Sequence, residues 1–226
     1  YVHHTSFSPD GRYLATASAD GTARLWDSQT GQPHGSPLRH DRPVVHLAFS
    51  RDGKLLVTSS DDSTARVWDV ETAKPRLARP LPHNGPVNFA EFSPDGATIV
   101  TASDDGSVRL WNATTGDRIG ESMKHRDRVL DRRFSPDGNW VVTASSDKKA
   151  RIWDARTGKA RTEEIWHAAS VSTAMFAADS RVVLTAAAGT ALAAQQARLW
   201  DAATGRPIGP PLPHADAILD AYEQVC

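Results

Sequence analysis

Two kinds of aromatic residue recur along this chain with one shared period, and that period constrains the fold more than any other feature. Trp26, Trp68, Trp111, Trp153 and Trp200 are spaced 42, 43, 42 and 47 residues apart. Phe7, Phe49, Phe92, Phe134 and Phe176 keep step at 42, 43, 42 and 42. Two markers sharing a period over five copies indicate a repeat architecture, whose units bury their faces only against neighbours. The order inside the first four copies is fixed. Phe opens a turn (FSPDG from 7, 92 and 134, FSRDG from 49), followed by YLATAS, LLVTSS, TIVTAS or WVVTAS. A second turn (ADGT, DDST, DDGS, SDKK) leads to ARLWD, ARVWD, VRLWN or ARIWD. Apolar runs of four to six residues, rich in Val, Ile, Leu, Thr and Trp and bounded by Gly, Pro and Asp, predict strands and not helices. Proline presets φ for the first turn, and Asp and Gly tolerate the left-handed conformations of a tight hairpin. A further turn after each Trp (SQTG, ETAK, ATTG, ARTG, AATG) leads to a fourth, more polar strand. Four short antiparallel strands in about 42 residues make one propeller blade.

Trp-Asp at 26–27, 68–69, 153–154 and 200–201, with Trp-Asn at 111–112, resembles the WD-repeat β-propellers. The family's leading histidine matches His40, His83, His125 and His167, each nine residues before its Phe, and His214 continues the series. The phrase TG-x-P-x-G-x-P-L-x-H at 30–40 and 204–214 is similar to bacterial WD-repeat arrays. The resemblance implies an all-β propeller of four-stranded antiparallel blades. Blades are expected near 1–40, 41–83, 84–125, 126–167 and 168–214, with 215–226 a tail or the start of another. The chain begins mid-pattern at Tyr1, and five blades are few for this family, so a larger ring of six to eight blades is expected. An open arc would otherwise favour self-association. The resemblance also implies hydrogen-bonded structural tetrads: His40–Ser60–Asp62–Trp68, His83–Ser103–Asp105–Trp111 and His125–Ser145–Asp147–Trp153.

A Ser, a His and an Asp in one constellation invite comparison with a hydrolase triad. A catalytic triad, however, occurs once beside a cleft, whereas this set recurs in each regular repeat, so the reading is structural. The nine His show no metal-ligand spacing with a nearby third ligand, and the Asp-rich turns lack the closing Glu of a calcium loop. No catalytic, cofactor or metal residues are therefore assigned. With 26 basic and 27 acidic side chains, a net charge of −1 gives no electrostatic reason to expect nucleic acid or an anionic membrane. No apolar run reaches 18 residues, excluding a transmembrane helix, and the single Cys226 fits a reducing, cytoplasmic setting.

The expected function is a non-enzymatic scaffold that presents protein- or peptide-binding loops on the upper face, with Arg42, Asp61, Asn88, Asp104, Arg128, Ser146 and Trp166 as contacts. The alternatives are an enzyme or metal site in the central channel, or nucleic-acid binding through the Arg-rich 126–133 segment. Three departures from the pattern single out residues. The fifth copy holds five extra residues around Ala188–Ala194 and no Asp in that turn, so Trp200 is expected to tolerate truncation better than the other Trp residues. Arg132 replaces Leu47, Ala90 and Ala174, and is expected to enter the central channel or pair with a neighbouring acid. Trp166 takes the slot of Arg39, Pro82, Lys124 and Pro213, where it would either serve an interface as an exposed aromatic or pack on its own blade.

Overall fold

A computed structural model describes residues 1–188 and 196–213. The expected inserted turn of the fifth copy, His214 and the 215–226 tail lie outside the described residues. Among the described residues every regular element is a β-strand, and the strands form five antiparallel sheets, one per repeat. The first sheet comprises β1 (Val2–Phe7), β2 (Tyr13–Ser18), β3 (Thr22–Asp27) and β4 (Pro33–Arg39). The second comprises β5 (Val44–Phe49), β6 (Leu55–Ser60) and β7 (Thr64–Asp69), with a fourth strand split into β8 (Lys74–Pro75) and β9 (Leu81–Pro82). The third comprises β10 (Val87–Phe92), β11 (Thr98–Ser103), β12 (Ser107–Asn112) and β13 (Arg118–Lys124). β14 (Val129–Phe134), β15 (Trp140–Ser145), β16 (Lys149–Asp154) and β17 (Ile165–Trp166) make the fourth. β18 (Ser170–Phe176), β19 (Val182–Ala188), β20 (Gln196–Asp201) and β21 (Leu212–Pro213) make the fifth. Each sheet is a blade of a β-propeller.

The turns form for the reasons their residues suggest. In FSPDG and FSRDG, Ser8, Ser50, Ser93 and Ser135 donate to the Asp two residues on at 2.5–2.7 Å. That Asp in turn accepts the backbone N–H two residues further along. The Asp after each Trp works the same way: Asp69 Oδ1 accepts Thr72 N at 2.9 Å and Thr72 Oγ1 at 2.7 Å. Asn112 can stand in because only its carbonyl oxygen is needed, accepting from Thr114 N and Thr115 N at 2.9 Å. Every first strand carries a bulge at the same place, between Val44 and His46 or Val87 and Phe89, for example. The bulge leaves one residue of the strand unpaired and turns it aside.

The chain divides into two compact units, Tyr1–Ser122 and Met123–Cys226. In the first, a core of Tyr13, Ala15, Leu25 and Leu38 packs on Leu47, Leu56, Trp68 and Val70 of the next sheet. Val57, Val67 and Leu81 then pack on Val87, Ile99 and Trp111. In the second, Val142, Ile152 and Ile165 pack on Val171, Val183 and Trp200. A middle strand with both faces covered reads as continuous burial, as β6, β11 and β15 do from their second residue onward. Neighbouring sheets approach so closely that one side must give way. A methyl group on Gly35 would lie 2.4 Å from Ala73 Cβ, and one on Gly205 would lie 2.9 Å from Thr162 Cβ. At the junction between the second and third sheets, Leu77 Cδ1 fills the space 3.2 Å from where a Gly116 Cβ would sit.

Candidate functional site

Two regions could carry function: the buried polar set that recurs in the repeats, and the loops at the histidine end of the sheets. In the second sheet Trp68 Nε1 donates to Thr58 Oγ1 at 2.8 Å. Thr58 Oγ1 lies 2.8 Å from His40 Nε2, and His40 Nδ1 lies 2.8 Å from Asp62 Oδ2. A carboxylate can only accept, so His40 carries its proton on Nδ1 and its Nε2 accepts from the threonine. The other oxygen of Asp62 accepts Thr64 N and Thr64 Oγ1 at 2.9 and 2.6 Å. The chain runs Trp to Thr to His to Asp with each donor matched.

The same chain recurs as Trp153–Thr143–His125–Asp147, at 2.8, 2.7 and 3.0 Å. In the third sheet Trp111–Thr101–His83 keeps 2.8 and 2.7 Å, but His83 Nδ1 stands 3.5 Å from Asp105 Oδ2, nearer Ser107 Oγ at 3.2 Å. The fifth sheet keeps Trp200–Thr185–His167 at 2.7 and 2.9 Å. In the first, Trp26 Nε1 donates to Thr16 at 3.0 Å.

The hydroxyl in this relay is therefore not Ser60, Ser103 or Ser145. Those serines donate to the carbonyls of Arg42, Gly85 and Asp127 and accept the backbone N–H of Asp62, Asp105 and Asp147. They pin the loops at the end of each blade, while the threonine two residues earlier stands opposite the indole. Burial pushes the imidazoles down, against the pull of the neighbouring Asp in His40 and His125. His83, with Arg109 adding to the burial, is held at about 4. His167, with Arg198 adding to the burial, is also held at about 4. Burial works against ionisation of Asp105, yet Ser107 and backbone donors hold it at about 2. His40, His83 and His125 are neutral imidazoles facing ionised carboxylates, and His167 is a neutral imidazole beside Thr185.

At the histidine end, Arg42 and Arg128 are exposed, whereas Asp61, Asn88, Asp104 and Ser146 are half-buried. Asn88 is the residue turned out by the bulge of β10, and its Nδ2 donates to Asp104 Oδ1 at 2.7 Å. Trp166 is 60% exposed. Arg132 is 3% exposed, and one of its contacts is to Asp131 on its own strand at 3.8 Å.

Asp131 has a role that sequence reasoning missed. It accepts Ala174 N at 3.1 Å and so ties the first strand of the fourth sheet to that of the fifth. Burial raises its carboxyl, opposed by Arg132 and Arg133. The spacing that aligns Asp131 with His4, His46, Phe89 and Thr173 was the available signal. The rings of the first three meet in a row, His4 and His46 tilted with centroids 4.3 Å apart and His46 and Phe89 edge to face at 5.5 Å. Among the described residues, no three His, Cys, Asp or Glu side chains converge as metal ligands. No helix there is long and apolar enough to cross a membrane.

A WD40 family model, described as WD domain, G-beta repeat, matches residues 1–27, 31–69, 76–112 and 117–154, together more than half of the 226 residues. Ribosome assembly protein 4 of Saccharomyces cerevisiae is 52% identical over 31 residues, covering 14% of this chain and 6% of that protein. The human WD repeat, SAM and U-box domain-containing protein 1 is 47% identical over 45 residues, covering 17% of this chain and 10% of that protein. The crystal structure of the computationally designed Ika8 protein superposes with a TM-score of 0.82 at 23% identity, over 96% of this chain and 63% of that one. The chain thus spans a small part of those natural relatives.

Proposed function

Because the chain belongs to the WD40 family of G-beta repeats, we propose that it is an interaction scaffold without chemistry of its own, which holds a protein or peptide at the histidine end of its sheets. Arg42, Asp61, Asn88, Asp104, Arg128, Ser146 and Trp166 are the contacts in this reading. The observation that carries it is the closed state of the polar set. The constellation that could imitate a triad is repeated and buried, and its hydroxyl, on a threonine, is engaged by an indole N–H on one side and an imidazole on the other. A nucleophile needs an open approach and a base free to take its proton. The loops around this set carry charged and amide groups within reach of solvent, which suits a polar protein surface. The single cysteine fits a reducing compartment, and we place the scaffold in the cytoplasm.

The test is affinity capture from extract of the source cells with quantitative mass spectrometry. The unaltered chain is compared with Arg42→Ala/Arg128→Ala and with a control, Arg51→Ala/Lys54→Ala, in the turn at the opposite end of the second sheet. The captured set is expected to fall away in the first variant and persist in the second. Retention in both would overturn the face assignment, and turnover by the purified chain in a broad hydrolase screen would overturn the scaffold reading.

A further inference from the structure

We propose that the Trp166 corner of the fourth sheet is a docking site for an acidic peptide segment that carries an apolar side chain. The inference rests on the scaffold reading and names the partner class for one part of it. Three residues of this sheet depart from their counterparts together. Lys149 stands where Thr22, Thr64 and Ser107 donate a hydroxyl to the aspartate of their blades. Its ammonium leaves that aspartate and sits 4.1 Å from the centre of the Trp166 ring. Glu164, in the slot of Pro37, Pro80 and Ser122, pairs with both Lys149 and Arg151. Lys149 is itself 3% exposed, so a buried cation is fixed by one carboxylate against one face of an indole. The rest of that indole, 60% of the residue's surface, faces solvent. A large aromatic whose orientation is already fixed loses little entropy on binding, which is what an interface anchor requires.

The charge around the ring selects the partner. Lys148 and Arg126 are exposed. The carbonyl of Lys148 accepts the N–H of His167, the residue after the indole, at 3.0 Å. Arg126 is set in the adjoining loop by its N–H on Asp147 at 3.0 Å. Lys148 also keeps a left-handed φ of 67° where Gly21 and Gly106 stand in other repeats. Asp147 is engaged by His125, Glu164 by Lys149 and Arg151, and Asp127 by the N–H of Arg128 at 2.7 Å, while Glu163 is exposed. What faces outward is an apolar ring beside two cations, complementary to an aliphatic or aromatic side chain flanked by Asp or Glu. A single-stranded nucleic acid would instead want several stacking aromatics along a cationic groove. This corner offers one ring, in a chain of net charge −1.

The probe is a short fluorescein-labelled peptide of Asp and Glu around one central Leu, followed by anisotropy against the whole chain. Binding is expected to weaken as salt is raised. The dissociation constant should rise at least about tenfold in Trp166→Ala and in Arg126→Glu/Lys148→Glu, and stay within about twofold in Arg51→Ala, at the opposite end of the second sheet. Trp166→Phe, which keeps a ring over Lys149, should recover most of the affinity, and circular dichroism would check that each variant keeps its β signal. Replacing the central Leu of the probe by Ser should weaken binding. Failure of the chain to bind the probe, or affinity unchanged in Trp166→Ala, would overturn the proposal, as would an oligothymidine competing better than the peptide. Each of these failures leaves the Arg42/Arg128 capture experiment standing, so the two readings fall separately.

Discussion

One hydroxyl per repeat decides whether the buried polar set is closed, and it is a threonine's. Thr58 accepts from Trp68 and meets His40, so Thr58→Val keeps the shape and strands two buried partners. That should cost about 1–3 kcal/mol. Next to it, Ser59 is fully buried and its hydroxyl has no hydrogen-bond partner among the described residues. The equivalent positions hold Ala17, Ala102, Ala144 and Ala186. Ser59→Ala should therefore stabilise, by up to about 1 kcal/mol. Urea unfolding of the two variants at neutral pH checks both signs, and a loss in Ser59→Ala would refute the second. Histidine, aspartate and tryptophan of the set were legible in the sequence, but the hydroxyl was not. Thr58 and Ser60 project to the same face of β6, so strand periodicity cannot choose between them. Register chooses: Leu56 pairs with Trp68, which puts Thr58 within reach of the indole and Ser60 beyond it.

At the scale of the strand, the first three of each repeat follow from the alternation of short β-rich runs and turns. The fourth is continuous only in β4 and β13. In the second repeat it breaks between Pro75 and Leu81, where Pro80 supplies no N–H to a ladder. In the fourth it shrinks to Ile165–Trp166 plus one bridge from Ala160 to Trp153. An outermost strand bonds on one side only, so its interruption sacrifices little, and the sequence had marked it as the more polar one. The expectation that Trp200 would tolerate truncation does not fit its surroundings. It is 5% exposed against 4% for Trp111, keeps its bond to Thr185, and packs on the fourth sheet. Packing against a neighbour, and not the missing aspartate, sets most of an indole's worth. Trp111→Ala and Trp200→Ala should each cost about 3–5 kcal/mol. Thermal melts showing Trp200→Ala near wild type would restore the original expectation.

For the molecule as a whole, the imidazoles set the acid limit. The unfolded chain takes up protons on histidine near 6.5, whereas His83 and His167 resist until about 4 in the folded state. Folded pKa values below the unfolded one mean that stability is complete above about 6.5 and drains away as pH falls toward 4. Each of these two groups removes about 3 kcal/mol at most. A second loss begins below about 4, where Asp105, held at about 2, must be protonated on unfolding before it is protonated in place. Denaturant midpoints measured from neutral pH down to about 4.5 should fall steadily, and a flat profile would contradict the burial of these rings. The count of sheets and the fold were legible at this scale because the period is visible without any secondary-structure assignment. The role of Asp131 was not, since it depends on two strands 43 residues apart lying side by side.

The close approach between neighbouring sheets also makes the repeats non-interchangeable. Each described junction has room for one side chain: Ala73 against Gly35, Leu77 against Gly116, Thr162 against Gly205. The glycine is on the outer strand at the first of these junctions and in the turn of the following sheet at the other two. A recombination event placing the Ala73 turn after the Thr162 strand would set two side chains where only one fits. Placing Gly31, the counterpart of Ala73, after Gly35 would leave a hole. Near-identical copies are prone to such exchange at the level of the gene. Here the junctions act as addresses, so that a shuffled array loses packing even though every blade in it is intact.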